Sequence, residues 1–119
     1  MRSPILMIAA LGVLGCSSAT DNTPPPATPA DVVILTNAAT LGGNAYSPNS
    51  LSFSIKKKQS VKWRNSDNVD HTVTEDNGVF NSGAMGQGGT YTFTFAAEGV
   101  YSYHCSIHPS MVATITVTP

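Results

Sequence analysis

Residues 104–111 read HCSIHPSM, so Cys105, His108 and Met111 fall within seven residues of a chain that holds two cysteines and three histidines. A thiolate, an imidazole and a thioether are the side chains that bind soft or borderline metal ions. His108 follows Cys105 by three positions, where a turn can swing it back beside the sulfur. Pro109 stiffens that turn, and Met111 closes it before the last apolar run begins. One loop rarely supplies a full coordination sphere, so a further donor is expected from elsewhere. Apart from His104, the remaining histidine is His71, at the head of DHTVTE.

Alternation sorts the histidines. In YSYHC, Tyr101, Tyr103 and Cys105 share one face of a strand, and Ser102 and His104 share the other. If the tyrosines face the core, Cys105 points inward at the strand's end and His104 points to solvent, which leaves His104 out of the donor set. His71, Cys105, His108 and Met111 remain. Two imidazoles and a thiolate with a weak axial thioether form the ligand set of a blue-copper electron-transfer site. Cu(I) prefers soft sulfur and Cu(II) accepts imidazole readily, so a rigid frame tolerable to both keeps the reorganisation barrier small. The competing readings are weaker. A structural zinc site would use four Cys/His ligands and almost never methionine. A Cys–His nucleophilic pair would need a cleft and an orienting group, and neither leaves a signal. Chance placement in an exposed loop is the remaining alternative.

The elements that must hold these residues read as β. SVKWRN alternates Val61 and Trp63 against Lys62 and Arg64. TYTFTF sets Tyr91, Phe93 and Phe95 against threonines, and ATITVT sets Ala113, Ile115 and Val117 against threonines. Further strands are expected over Val32 to Leu35, Leu51 to Ile55, His71 to Thr74 and Gly99 to His104. The segments LGGN, YSPNS, MGQGG and AAEG read as turns. Seven to eight short strands at this spacing predict an all-β, Greek-key β-sandwich. No helical period long enough to matter is present.

Bulk properties agree with one folded domain. The chain has 119 residues, 41% hydrophobic and 11% charged, with a net charge of −1. That balance excludes a strongly basic nucleic-acid binder, and no phosphate-cradling glycine loop occurs. Met1 and Arg2 precede an apolar run from Ile5 to Leu14, about half the roughly twenty residues of a membrane-spanning helix. The run ends in VLGC, which resembles a bacterial lipoprotein signal with Cys16 as the lipidated residue. The other reading is an ordinary secretory signal with an incidental cysteine. The chain is exported under either reading; with the other cysteine at the signal boundary, Cys105 is left without a disulfide partner, and metal ligation gives an unpaired exported cysteine a reason. The stretch after Cys16, rich in proline and threonine, reads as a tether spanning roughly 40 Å. The expected organisation is a signal over 1–15, a lipidated cysteine and tether over 16–30, and a domain over 31–119.

The domain resembles the cupredoxins across essentially all of residues 31–119. The matching pieces are VKWRNSD before DHTV, then GTYTFTF, EGVYSYHCSIHPSM and the closing alternating strand. Two residues between Cys105 and His108, and two between His108 and Met111, look most like the short amicyanin loop. The resemblance implies an eight-stranded β-sandwich with one type 1 copper ion, Cu(I)/Cu(II), at one pole. It carries copper ligation over to His71, Cys105, His108 and Met111. Three departures stand out. Lys58 occupies a position usually held by glycine, and Ala113 lies near another such glycine. Thr72 follows the first histidine where asparagine usually ties the histidine loop to the cysteine loop. Thr72 or Ser106 is expected to replace that link.

The resulting expectation is a monomeric carrier of single electrons, not an enzyme, held at a bacterial membrane by lipid on Cys16. It would be a periplasmic or cell-surface lipoprotein. Its partners would be redox proteins such as a c-type cytochrome, a dehydrogenase or a copper-containing reductase. Met85, Ile107 and Pro109 are expected to form an apolar docking patch around an exposed edge of His108. The alternative function is copper storage or delivery without redox cycling, disfavoured because few further exposed Met or His residues are present. An accepting domain of a larger oxidase is also disfavoured, since the sequence ends with the last strand. Lys56, Lys57, Lys58, Lys62 and Arg64 form the one basic cluster, read as a solvated hairpin at the pole opposite the metal.

Overall fold

The computed structural model describes residues 29–119. The signal over 1–15, Cys16 and the tether up to residue 28 lie outside the described residues. Eight strands form two four-stranded sheets. They are β1 (Val32–Ile34), β2 (Tyr46–Ser47), β3 (Ser50–Ser54), β4 (Ser60–Asn65), β5 (Thr74–Glu75), β6 (Thr90–Thr94), β7 (Gly99–His104) and β8 (Val112–Thr118). One sheet has the order β2-β1-β4-β6 and the other β3-β8-β7-β5. β1 pairs with β4 in parallel, β3 with β8 in parallel, and the remaining pairs are antiparallel. Neighbours in space are therefore seldom neighbours in sequence. This is the expected all-β sandwich.

Side-chain alternation builds the core. Val61, Trp63, Ala113, Ile115 and Val117 are buried while their strand neighbours face outward. Trp63 is fully buried and packs against Phe80, Tyr91 and Tyr103, with ring centroids 5.5, 5.8 and 5.7 Å away. Tyr46 meets Tyr103 edge-on at 4.9 Å. These rings join the two sheets, and one of them, Tyr103, lies two residues before Cys105, both buried.

Three local features differ from expectation. The strand expected over His71 to Thr74 is displaced to β5, and His71 makes only an isolated bridge to Met85. His71, Thr72 and Val73 are all buried, so the segment lacks the one wet face that alternation assumes. The segment YSPNS contains β2, whose Tyr46 is buried and pairs with β1. Between β1 and β2 lie a four-residue helix, α1 (Ala38–Leu41), and a 3-10 turn, Gly42–Asn44, both too short to leave a periodic signal. Gly42 adopts φ +54, and a Cβ there would come within 3.6 Å of the Ser110 carbonyl oxygen. That distance is ordinary contact, so it is the positive φ, which glycine adopts without strain, that lets the chain turn here beside the 105–111 loop.

The lysine turn joins β3 to β4. Lys57 and Lys58 donate backbone hydrogen bonds to the Ser54 carbonyl, and the Lys58 ammonium pairs with Asp31. β4 leads from that turn to Asn65 beside the candidate site, so the turn and the site lie at opposite ends of the strand. No helix among the described residues is long and apolar enough to cross a membrane.

Candidate metal centre

β7 delivers Cys105 to the site and β8 leads away from it. Between them, the Cys105 N–H donates to the Met111 carbonyl at 3.1 Å and the Met111 N–H to the His108 carbonyl at 2.9 Å. These bonds close the loop and bring His108 back beside Cys105. Tyr103 and Cys105 are buried, while His104 is partly exposed and bonds through Nδ1 to Asp76 at 2.6 Å. His104 stands outside the donor cluster, as strand alternation requires.

His71, Cys105 and His108 converge. Cys105 Sγ lies 3.8 Å from the Nδ1 atoms of both histidines, and those nitrogens are 3.2 Å apart. A point equidistant from the three atoms sits about 2.1 Å from each. Metal–imidazole and metal–thiolate bonds to a borderline divalent ion run at about 2.0 to 2.3 Å. The donor triangle therefore has the size of a mononuclear metal site, and its N₂S composition is that of type 1 copper. Met111 is fully buried behind the loop it closes. Cys105 is a free, fully buried thiol.

His71 is held by two residues to which sequence reasoning assigned no role. Asn65, buried at the end of β4, donates through Nδ2 to the carbonyls of Val69 and Met85, both at 2.8 Å. Its Oδ1 accepts the Asp67 N–H at 2.9 Å, so one side chain folds the whole 65–71 loop. Asp67, also buried, places Oδ2 2.8 Å from His71 Nε2. The bond from His71, together with backbone N–H donors of Asn37, Asn68 and Ala38, outweighs desolvation and lowers the Asp67 carboxyl to about 2. The signal in the sequence was an acid four residues before the histidine, too common a pattern to stand out. The backbone of His71 is fixed as well, through paired N–H to carbonyl bonds with Met85 at 3.1 and 2.8 Å.

Thr72 joins the two ligand segments. Its N–H donates to Cys105 Sγ at 3.3 Å, and its Oγ1 accepts the Ser106 N–H at 2.8 Å and lies 3.1 Å from Ser106 Oγ. Its carbonyl accepts the Tyr46 hydroxyl at 2.7 Å. The link expected from Thr72 or Ser106 uses both residues. Thr72→Val keeps the shape and the N–H to sulfur bond but leaves the Ser106 N–H without its acceptor. The expected cost is about 1–2 kcal/mol, read by denaturant unfolding of the metal-free protein. An unchanged midpoint would mean that the Oγ1 link does not hold the loops together.

The docking patch needs one correction. Met85 is only 6% exposed and belongs to the core, because the backbone pairing with His71 turns this segment inward. Ile107, at 48% exposure, and Pro109 remain on the surface next to the half-buried His108.

Comparison with known proteins agrees with this geometry. The family of copper binding proteins of the plastocyanin/azurin type matches residues 34–118. A purple cupredoxin from Nitrosopumilus maritimus is 33% identical with a TM-score of 0.65, over 73% of this chain and 97% of that one. A copper-containing nitrite reductase from Thermus scotoductus SA-01 is 26% identical with a TM-score of 0.63, over 77% of this chain but 23% of that one. An amicyanin variant is 28% identical with a TM-score of 0.54, over 59% of this chain and 70% of that one. None of the curated proteins matches. The sandwich, the N₂S triangle and the match over residues 34–118 agree: the chain belongs to the plastocyanin/azurin family of copper-binding proteins, and its cofactor is copper.

Proposed function

We propose that this protein carries single electrons between redox proteins outside the cytoplasm. The observation that carries this reading is the donor triangle itself, which joins His71 to Cys105 and His108, 34 and 37 positions further on, and is braced by hydrogen bonds from the protein. A site held this firmly changes little when its charge changes. Copper, when bound, supplies the one-electron Cu(II)/Cu(I) couple. The chain's own residues do the rest. Cys105, His71 and Met111 are shielded from water, and the half-buried His108 provides the route to the surface.

Ile107 and Pro109 beside His108 suit brief apolar contact with a partner such as a c-type cytochrome, a dehydrogenase or a copper-containing reductase. The apolar run ending at Cys16 supports an exported, lipid-anchored protein acting at a bacterial membrane. These two readings rest on sequence and surface character.

The test is to load the protein with Cu(II), record its visible spectrum and add ascorbate. An intense thiolate-to-copper absorption that bleaches and returns on reoxidation is expected. Tight copper binding without that absorption would overturn the carrier reading in favour of storage or delivery. The patch has its own test. Ile107→Glu places like charges face to face when two copies meet, which opposes association. Electron self-exchange, followed by NMR line broadening, should slow about tenfold or more with the visible spectrum unchanged. Unaltered self-exchange would remove Ile107 from the contact surface.

A further inference from the structure

The carboxylate of Asp67 has a place in the site that ligand chemistry alone does not require. It is 3% exposed, and His71 beneath it is fully buried. Oδ2 lies 2.8 Å from His71 Nε2 and accepts the Ala38 N–H at 3.1 Å. Oδ1 accepts the N–H groups of Asn37 at 3.1 Å and Asn68 at 2.9 Å. The three backbone partners are all donors, so the carboxylate is held as an anion in one orientation. Among the described residues no carboxylate pairs with His108, so the two imidazoles are not equivalent.

We propose that Asp67 is a positioning residue that fixes His71 with its proton on Nε2, and that its buried negative charge favours oxidised over reduced copper. The inference rests on the redox-copper reading above. The first part follows from hydrogen-bond capacity. A neutral imidazole carries one proton, and a carboxylate partner at Nε2 draws it there, leaving the Nδ1 lone pair facing Cys105 and His108. The second part follows from charge. Reduction removes one positive charge, so a fixed anion one imidazole ring away binds the oxidised ion more strongly than the reduced ion. At about 7 Å and an effective dielectric of about 20, the attraction per unit charge corresponds to a factor of about 50. Donors around the carboxylate spread its charge, so a tenfold to fiftyfold preference is expected.

Asp67→Asn removes the charge and keeps an oxygen able to accept from His71 Nε2. In the variant, Cu(II) affinity measured by chelator competition should fall about tenfold or more further than Cu(I) affinity does. The reduction potential should rise accordingly, by about 59 mV for each tenfold change in the ratio of affinities. A purely structural role would weaken both oxidation states together and leave the potential where it was. That outcome, or an unchanged ratio, overturns the charge role.

The tautomer is read in the unsubstituted, metal-free protein from the nitrogen-15 shifts of the His71 ring, so no variant has to fold for this arm. A proton on Nε2 is expected, and a proton on Nδ1 overturns the positioning role. The two readings fail separately. A copper-loaded protein without the thiolate absorption would refute electron carriage, while the His71 tautomer and the Asp67→Asn effect on Cu(II) affinity would still report on Asp67.

Discussion

Cys105→Ser is expected to abolish the visible absorption of the copper-loaded protein and to lower copper affinity by more than about a hundredfold. Changes one shell out from a metal typically cost ten- to a hundredfold, and this one removes a direct donor. The sulfur is fully buried, forms one corner of the donor triangle and accepts the Thr72 N–H. A serine hydroxyl is a hard donor that does not ionise at neutral pH, so Cu(I) binding weakens and thiolate-to-copper charge transfer is lost. The fold should persist, because serine is smaller than cysteine and can still accept the Thr72 hydrogen bond. Circular dichroism of the metal-free variant should therefore match that of the unsubstituted protein. If the variant kept an intense visible band, Cys105 would not be the coupling ligand.

Trp63→Ala should be the most damaging change to the fold, about 3–5 kcal/mol, as expected for deleting a large buried aromatic. Trp63 is fully buried and touches rings from both sheets: Tyr91 on β6, Tyr103 on β7, and Phe80 in the loop between β5 and β6. No small shift of the backbone can fill the space those partners would lose. For a domain of this size, each kcal/mol lowers the melting temperature by about 4–8 °C, so a fall of about 15 °C or more is expected in the metal-free protein. The metal site should loosen too, since β4 continues two residues beyond Trp63 to Asn65, which folds the His71 loop. Trp63→Phe keeps a ring in the same place and should cost less than half as much. A loss below about 1 kcal/mol for the alanine variant would mean that the core does not depend on this residue.

Much of the architecture was legible because period-two alternation is a local property of the chain. β4, β6 and β8 alternate in sequence as they do in space, and the placement of Cys105 inward and His104 outward follows from the same rule. Legibility failed where that rule has no purchase. Residues 71–73 are buried on every side, β2 has two residues, and α1 has one turn. Met85 looked like a surface methionine because its glycine-rich surroundings read as a loop, whereas its backbone pairs with His71.

The sequence alone determined the sandwich class and the donor chemistry. Alternation dictates which face of a strand is buried, and only a few residue types can hold a soft metal. Tertiary structure decided how the distant histidine reaches the loop and what holds it there. Asn65 and Thr72 matter through hydrogen bonds to residues 20 to 34 positions away, and Asp67, four residues before His71, is itself anchored by backbone N–H groups 29 and 30 positions away. Such contacts depend on how β1, β4 and β7 are brought together, and no local pattern encodes that.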